Sequence, residues 1–402
     1  MIPQAQIPKE PGLYKQHKAE SNGSPLVKNY ARYPVEFKKG DGVNLFDSEG
    51  KKYLDFLSGI AVTGFGHNHP TINAAVEEQL NKLWHVSNLF ESYDQKSLAR
   101  KLVKKSGLHS VFFSNSGSEA NEAAIKFARK WGNGKSNILT AVGGFHGRTM
   151  GSLSATAQFK TWEGFSPLLP GFNYIPYDDI DNIKYSITDN TIAIMVEPIQ
   201  GESGVIIPSS GYLKSLREIC DEYGLLLILD EIQTGIGRTG KFFAHQWDDV
   251  KPDIITLAKG IANGIPLGAT IVSEKVAETI TPGCHGSTFG GNPLAVAAAN
   301  AVVDLVDDFL LDKVIESGKL LEKSINLIFT EKIKEVRSKG LMVGVEFVEG
   351  VSAKEIAKIL LNKGIVVGNS GDSVLRLLPP LIISKNDIVE FTVIFEKVLQ
   401  QI

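Results

Sequence analysis

Short runs of consecutive apolar residues, separated by helical stretches, constrain this chain more than any other feature. The clearest is Leu225-Leu-Leu-Ile-Leu, accompanied by Val111-Phe-Phe-Ser, Ile138-Leu-Thr-Ala-Val, Ile192-Ala-Ile-Met-Val, Ile254-Ile-Thr-Leu and Ala269-Thr-Ile-Val. A strand with one wet face alternates apolar and polar residues, whereas a strand apolar on neighbouring residues has both faces buried. Between the runs lie helical patterns: Ser118 to Lys130, and Tyr212 to Tyr223 with Leu213, Leu216, Ile219 and Cys220 at helical spacing. Alternation of this kind predicts an α/β fold with a mostly parallel central sheet flanked by helices.

The 402 residues exceed one ordinary core and suggest about two to three domains. Residues 1–65 read as an N-terminal segment holding a small β meander: Val35-Glu-Phe-Lys-Lys-Gly, Val43-Asn-Leu-Phe-Asp, and Lys52-Tyr-Leu-Asp-Phe after a Gly-containing turn. Residues 66–305 carry the strand and helix alternation, closing on a helix from Pro293 to about Val306. Residues 306–402 end in Leu341-Met-Val-Gly-Val-Glu-Phe, a helix from Ala353 to Asn362, Ile365-Val-Val, Val374-Leu-Arg-Leu and a helix from Lys385 to Leu399. That end and the N-terminal segment are expected to form a smaller α+β domain. No internal repeat or low-complexity tract interrupts this order.

A net charge of -3 gives no basic excess to attract nucleic acid. Cys220 and Cys284 lack CxxC spacing, which argues against a disulfide framework or zinc cluster and for a reducing compartment. The start, Met1-Ile-Pro-Gln-Ala-Gln-Ile-Pro-Lys-Glu-Pro, has neither the basic nor the apolar region of a secretory signal, and no apolar run is long enough to span a bilayer. A cytoplasmic protein is expected, its lead segment partly disordered or packed on a partner.

Two strands end in chemistry. Leu225-Leu-Leu-Ile-Leu runs into Asp230, and Asp253-Ile-Ile-Thr-Leu-Ala delivers Lys259 just before a glycine. In open α/β sheets ligands bind outside the carboxyl ends of the strands, so this amine and carboxylate point to a shared pocket. Pyridoxal 5'-phosphate needs that pairing: a lysine for the Schiff base and an acid to keep its ring nitrogen protonated. Glu231 is adjacent to Asp230 and in a strand would face the other way, so the two are not read as a carboxylate pair, while Gln233 can return to the Asp230 side.

Other stretches fit the same pocket. Ser114-Asn-Ser-Gly-Ser-Glu-Ala-Asn follows a strand and opens a helix, so Gly117 and Ser118 could cradle a phosphate; a plain Ser N-cap with a first-turn Glu accounts for it equally well on its own. Gly144-Phe-His-Gly-Arg-Thr gathers an aromatic face, an imidazole and a guanidinium, although a core Phe145 and a surface Arg148 would need no ligand. Ser287 and Thr288, within His285-Gly-Ser-Thr-Phe-Gly-Gly-Asn-Pro, suit phosphate binding and also ordinary turns.

Rival motifs fail on context. Gly235-Ile-Gly-Arg-Thr-Gly fits the GxGxxG of a nicotinamide-dependent oxidoreductase, yet Glu231 to Thr234 separate it from the strand and no clear long helix follows. Gly134-Lys-Ser resembles the end of a phosphate loop, but Arg129 stands where its first glycine belongs, and the motif precedes a strand. His67 and His69 have no accompanying Cys or carboxylate cluster, so no metal site is expected.

Gly59-Ile-Ala-Val, Gly66-His-Asn-His-Pro, His85-Val-Ser-Asn-Leu-Phe, Asn115-Ser-Gly-Ser-Glu-Ala-Asn, Phe145-His-Gly-Arg-Thr, Val196-Glu-Pro-Ile-Gln-Gly-Glu, Asp230-Glu-Ile-Gln-Thr-Gly, Ala258-Lys-Gly and Ser287-Thr-Phe-Gly-Gly-Asn-Pro stand in one order. Together they resemble the class III, fold-type-I, pyridoxal-phosphate-dependent aminotransferases, most closely the acetylornithine aminotransferase branch, from about Tyr33 to the C-terminus. The resemblance implies Lys259 as the Schiff-base lysine, Asp230 as the ring-nitrogen partner and Phe145 as the stacking ring. It places Gln233 near the phenolic oxygen and Glu231 and Ile232 along the cofactor. Gly117 and Ser118 would bind the phosphate, with Thr288 arriving from a second subunit of an obligate homodimer. Arg148, with Ser287 nearby, would take the carboxylate of the acetylated substrate, Arg376 the α-carboxylate of glutamate, and Glu202 would switch Arg376 on and off. The implied reaction moves the ω-amino group of N-acetylornithine to 2-oxoglutarate, a step of arginine biosynthesis. Succinylornithine, succinyl-diaminopimelate, ornithine and γ-aminobutyrate remain open as donors. An aminomutase and a noncatalytic pyridoxal-phosphate-binding protein remain as rivals. Ser203 stands where many relatives have Gly, and Ser118 where many have Ala or Thr.

Overall fold

The computed structural model describes residues 25–402. The anticipated lead segment at the N-terminus lies outside them. Residues 25–36 belong to a unit of their own, with bends but neither strand nor helix, and are mostly exposed. The remaining chain, Phe37–Ile402, is one compact unit.

Its first strands are β1 (Phe37–Asp41), β2 (Asn44–Asp47) and β3 (Lys52–Asp55), an antiparallel meander. A large sheet follows from β4 (Ser110–Ser114), β5 (Asn137–Ala141), β6 (Phe172–Ile175), β7 (Thr191–Val196), β8 (Leu226–Asp230), β9 (Ile254–Leu257) and β10 (Gly268–Val272), in the order β4-β10-β9-β8-β7-β5-β6. Only β10 runs against its neighbours β4 and β9, and the other pairings are parallel. Towards the C-terminus come β11 (Ile333–Lys339), β12 (Met342–Phe347), β13 (Ile365–Val366), β14 (Gly368–Ser370) and β15 (Val374–Leu377). β13 pairs in parallel with β3, so the meander draws a strand from near the other end of the chain.

Five of the six apolar runs became the inner strands, covered by helices on both faces, while Val111-Phe-Phe-Ser became the half-buried edge strand β4. Every residue of β5, β7, β8, β9 and β10 is buried. Side chains alternate along β8: Leu226 and Ile228 pack with Ala124, Phe127 and Ala128 of the helix Gly117–Trp131, while Leu227 and Leu229 pack with Leu213, Leu216 and Ile219 of the helix Tyr212–Tyr223. By the same alternation Asp230 points to the side of helix Gly117–Trp131. That parity decides which helix reaches the carboxylate.

The helix Gly117–Trp131 starts where it does because Ser116 Oγ accepts from Glu119 N at 3.2 Å while a Glu119 carboxylate oxygen accepts from Asn115 N at 2.6 Å. Arg129 and Lys130 lie in its last turn, where the helix dipole favours cations. Helix Tyr212–Tyr223 stops at Gly224, whose φ of +64° closes the end with its N–H on Cys220 O. Among the described residues no helix is long and apolar enough to cross a membrane, and no cluster of three or more His, Cys, Asp or Glu is arranged to hold a metal. His67 instead pairs with buried Asp55 at 2.9 Å.

Candidate active site

The parallel strands deliver their C-terminal ends to one cavity of about 330 Å³. Its lining includes Asn115 to Ser118 beyond β4, Phe145 to Gly147 beyond β5, Glu197 and Glu202 beyond β7, Asp230, Ile232 and Gln233 at β8, and Ala258 and Lys259 beyond β9. The sequence had scattered these residues over almost 150 positions. The sheet brings them together.

Asp230 is only 3% exposed, and polar donors fix both of its oxygens. Oδ2 accepts from Asn121 Nδ2 at 2.8 Å and lies 2.8 Å from His146 Nδ1, and Oδ1 accepts from Ile232 N at 3.1 Å. Asn121 Nδ2 also donates to His146 O at 2.7 Å, so the carboxylate and the loop behind it form one buried assembly. Burial pushes the His146 pKa down, but the hydrogen bond and charge of Asp230, aided by Glu197, outweigh it and raise it overall.

Lys259 has a backbone φ of +45°, a left-handed conformation that costs an L side chain roughly 1–2 kcal/mol. Such strain persists where the surroundings over-determine it, commonly at functional sites. The amine sits deep in the cavity wall, and desolvation pulls its pKa below the ordinary lysine value despite the counter-charge of Glu202; Arg376 lowers it further. The result is an amine more readily neutral, the form that attacks carbonyls and accepts protons.

The turn that carries Phe145 and Arg148 is held by helix Gly117–Trp131. Ser118 Oγ accepts from Arg148 N at 3.1 Å, Ser152 Oγ donates to Ser118 O at 2.9 Å, and Glu122 Oε1 accepts from Gly151 N at 2.9 Å and Ser152 N at 3.1 Å. Arg148 is exposed, with its guanidinium carbon 5.4 Å from the centre of the Phe145 ring, and has no carboxylate partner among the described residues. At the opening of the same helix, a Cβ on Gly117 would come within 2.9 Å of Ile232 Cδ1, so a larger residue would press on the Ile232 side chain that lines the cavity. Its early N–H groups and dipole favour an anion there.

Arg376, 3% exposed on β15, donates from Nη1 to Glu202 Oε1 at 2.7 Å and to Gly201 O at 3.0 Å. Gln233 Nε2 donates to the same Glu202 oxygen at 3.2 Å. Burial raises the Glu202 pKa, but Arg376, with Lys259 and Gln233, more than compensates and holds it below the usual carboxylate range.

Arg148 and Arg376 lie beside the cavity and not in its lining, and two further sets of expected residues lie elsewhere. Glu231 must be corrected as a lining side chain: its carboxylate turns away from the cavity and accepts from Ala244 N and His245 N at 2.9 Å each and from Thr234 Oγ1 at 2.5 Å, beside His245 Nδ1 at 2.9 Å. The alternation that sends Asp230 into the cavity sends Glu231 the opposite way. Ser287 Oγ accepts from Asn115 Nδ2 at 3.1 Å, at the edge of the lining, while Thr288 is exposed and outside it. Asn121, His146 and Glu197 carry no role in the sequence reading, although all three lie in its quoted motifs. Asn121 stands four residues after Gly117, one helical turn on, and that spacing was the available signal.

The residues present fit pyridoxal phosphate. A desolvated lysine, a carboxylate fixed by donors, an aromatic ring and a helix N-terminus shaped by glycine all meet at the cavity. Gln233 also keeps a buried amide oxygen without a partner among the described residues, a polar atom that a bound group can satisfy.

The family model described as aminotransferase class-III matches residues 26–399. Among curated proteins, the chain is 49% identical to the acetylornithine aminotransferase of Aquifex aeolicus over 90% of this chain and 96% of that one. It is 47% identical to the acetylornithine aminotransferase of Methanocaldococcus jannaschii over 89% and 92%. Among solved structures, the ornithine aminotransferase of Toxoplasma gondii is similar with a TM-score of 0.90 and 34% identity over 94% and 93% of the two chains. The N-acetylornithine aminotransferase of Stenotrophomonas maltophilia is similar with a TM-score of 0.82 and 38% identity over 92% and 97%.

Proposed function

The chain belongs to the class-III aminotransferase family, and from that premise we propose that it transfers the ω-amino group of N-acetylornithine to 2-oxoglutarate, giving N-acetylglutamate 5-semialdehyde and glutamate. The observation that carries the reading is the unequal state of the two arginines. Arg376 is buried and neutralised by Glu202, whereas Arg148 is exposed above Phe145 with no carboxylate partner among the described residues. A donor with an ω-amine and a distant carboxylate finds Arg148 open and Arg376 closed. An oxo-acid with a second carboxylate beside its reacting carbon needs Arg376 released.

Pyridoxal phosphate, when bound, supplies an electron-withdrawing ring that accepts the electron pair left as a proton departs from the amine-bearing carbon. Lys259 would hold it covalently, Asp230 would favour the protonated ring nitrogen, Phe145 would cover the ring face, and Gly117 and Ser118 would receive the phosphate. Lys259, once free and neutral, takes the proton at Nζ and returns it to a neighbouring carbon. Asn121, His146 and Ile232 N keep the Asp230 carboxylate oriented throughout. Glu202 releases Arg376 only when a carboxylate replaces it as the partner of the guanidinium.

We place the enzyme in the cytoplasm as a homodimer, with Thr288 completing the site of a second copy. The exposure of Trp84 (63%), Leu89 (88%), Phe90 (66%) and Phe289 (61%) supports a covered surface there. Ornithine itself, the donor in the name of the similar Toxoplasma gondii enzyme, is the second reading. The holoenzyme's visible spectrum tests both: N-acetylornithine, ornithine and γ-aminobutyrate are added separately without oxo-acid. Bleaching that is fastest with N-acetylornithine is expected. Faster bleaching with ornithine would transfer the assignment, and no response to any of the three would remove it.

A further inference from the structure

Two turns beyond neighbouring strands are fastened to each other beside the cavity. One, residues 142–148 after β5, carries Phe145 and Arg148; the other, residues 197–206 after β7, carries Glu202. Gln200 Nε2 donates to Val142 O at 2.9 Å and Ser203 Oγ to Gly143 O at 2.5 Å. Glu197 then spans both turns, Oε1 accepting from Phe145 N at 2.9 Å and Oε2 from Gly201 N at 3.1 Å. The approach is close enough to require glycine at residue 143: its φ is +82°, and a Cβ there would lie 2.9 Å from both Gln200 Oε1 and Ser203 Oγ.

The far side of the second turn is fastened as well. Ser370 Oγ donates to Glu202 O at 2.5 Å, and Arg337 Nη2 and Nε donate to Gly204 O at 2.8 and 3.1 Å. The backbone around Glu202 is thus held from both directions. Its side chain alone is left to move, about a fixed Cα, when Arg376 changes partner.

We propose that Glu197, Gln200 and Ser203 form a clasp that positions the Glu202 turn against the Phe145 turn, and that this clasp sets the affinity for the oxo-acid without setting reactivity toward the amino donor. The inference rests on Arg376 being the α-carboxylate arginine of the proposed function. Gly201 supplies both a Glu197 contact through its N–H and an Arg376 contact through its carbonyl, so loosening the clasp blurs the place where Arg376 must meet a carboxylate. Arg148 N keeps its own bond to Ser118 Oγ, and Gly151 just beyond it stays bonded to Glu122. The donor side is therefore spared.

Ser203→Ala and Gln200→Met each remove one side-chain donor of the clasp. Each holoenzyme is assayed in two ways: single-turnover bleaching by N-acetylornithine alone, and steady-state KM for 2-oxoglutarate. One net hydrogen bond corresponds to about a 2- to 10-fold effect. The expected result is a KM for the oxo-acid raised by that factor, with donor bleaching within about twofold of wild type by the same scale. Equal changes in both measurements, a larger change on the donor side, or no change in either variant would overturn the clasp. Wild-type holoenzyme that fails to bleach with N-acetylornithine would overturn the underlying function instead, whatever the variants do.

Discussion

Asn121 and Asp230, 109 residues apart in sequence, meet through an Nδ2 to Oδ2 hydrogen bond of 2.8 Å. Asn121 is fully buried, and the same amide nitrogen reaches His146 O at 2.7 Å. One side chain on a helix therefore fixes both the strand-end carboxylate and the turn bearing Phe145.

Asn121→Ala should lower kcat/KM by about 10- to 100-fold, the scale of losing a hydrogen bond to a charged group. It should also weaken cofactor retention, since Asp230 keeps only Ile232 N and the imidazole. Steady-state kinetics and the cofactor content after dialysis measure both. A variant with wild-type values would show that His146 suffices to orient the carboxylate.

Lys259 is pulled below its ordinary pKa by burial, and the sign of the consequence is fixed. A lower pKa enlarges the neutral fraction at a given pH, about tenfold for each unit. The apoprotein should capture pyridoxal phosphate at a rate that rises with pH and levels off below 10.5, followed by the growth of visible absorbance. Lys259→Ala should show no capture and no multiple turnover. A rate still climbing at pH 10.5 would mean an ordinary solvated lysine.

Much of this was legible in the sequence because burial on both faces writes itself as consecutive apolar residues, as in Leu226–Leu229 of β8. The edge strand β6, Phe172–Ile175, was not, since Asn173 is exposed and Phe172 and Tyr174 are half-buried, leaving no apolar run. The helix Tyr93–Ser106 escaped for a related reason: Leu98 and Leu102 are its only buried residues, and six of the other twelve are charged. At the site, Lys259 and Asp230 stood out because they end apolar strands. Glu197 acts through geometry between elements, which periodicity within one element does not encode, whereas Asn121 left one signal, its one-turn spacing from Gly117. Glu231 is the instructive case, because its motif pointed to the cofactor while strand alternation pointed away from it, and the alternation prevailed.

Glu231→Ala should destabilise the fold by about 1–3 kcal/mol or more, the penalty for leaving a buried donor without its acceptor. It strands the N–H groups of Ala244 and His245 and the His245 ring in an apolar surround, with Phe243 stacked on that ring. Chemical unfolding of the variant measures the loss. Its cofactor spectrum should match wild type under native conditions. A stable variant unable to hold the cofactor would restore Glu231 as a cofactor residue.

Glu197 has its pKa pushed up to about 7 from 4.5, first by burial and then by the Asp230 charge, with His146 opposing. Lys259 and Tyr177 also feel its charge. The folded state thus binds more protons than the unfolded chain between these values, so this group's contribution is full below pH 4.5 and is lost as pH rises through about 7. His146, also raised, adds to the same slope on its upper side. Urea midpoints of the apoprotein at pH 5 and pH 8 should differ more for wild type than for Glu197→Gln. Equal differences would mean that Glu197 titrates as an ordinary carboxylate.

Glu202 closes Arg376 by a 2.7 Å ion pair, and its carboxyl is held below the usual range, so the closure persists through neutral pH. Removing it leaves a buried guanidinium without its counter-charge, held by Gly201 O alone. Any substrate with a carboxylate beside the reacting amine then meets an arginine already open. Glu202→Gln should therefore raise kcat/KM for glutamate relative to N-acetylornithine by about 10-fold or more, the ratio that about 1.4 kcal/mol of differential binding produces. The change should come through the donor that uses Arg376, because in the proposed function N-acetylornithine anchors on Arg148. Paired half-reaction rates for the two donors, wild type against variant, decide it. An unchanged ratio would mean that Glu202 only supports Arg376 and does not gate it.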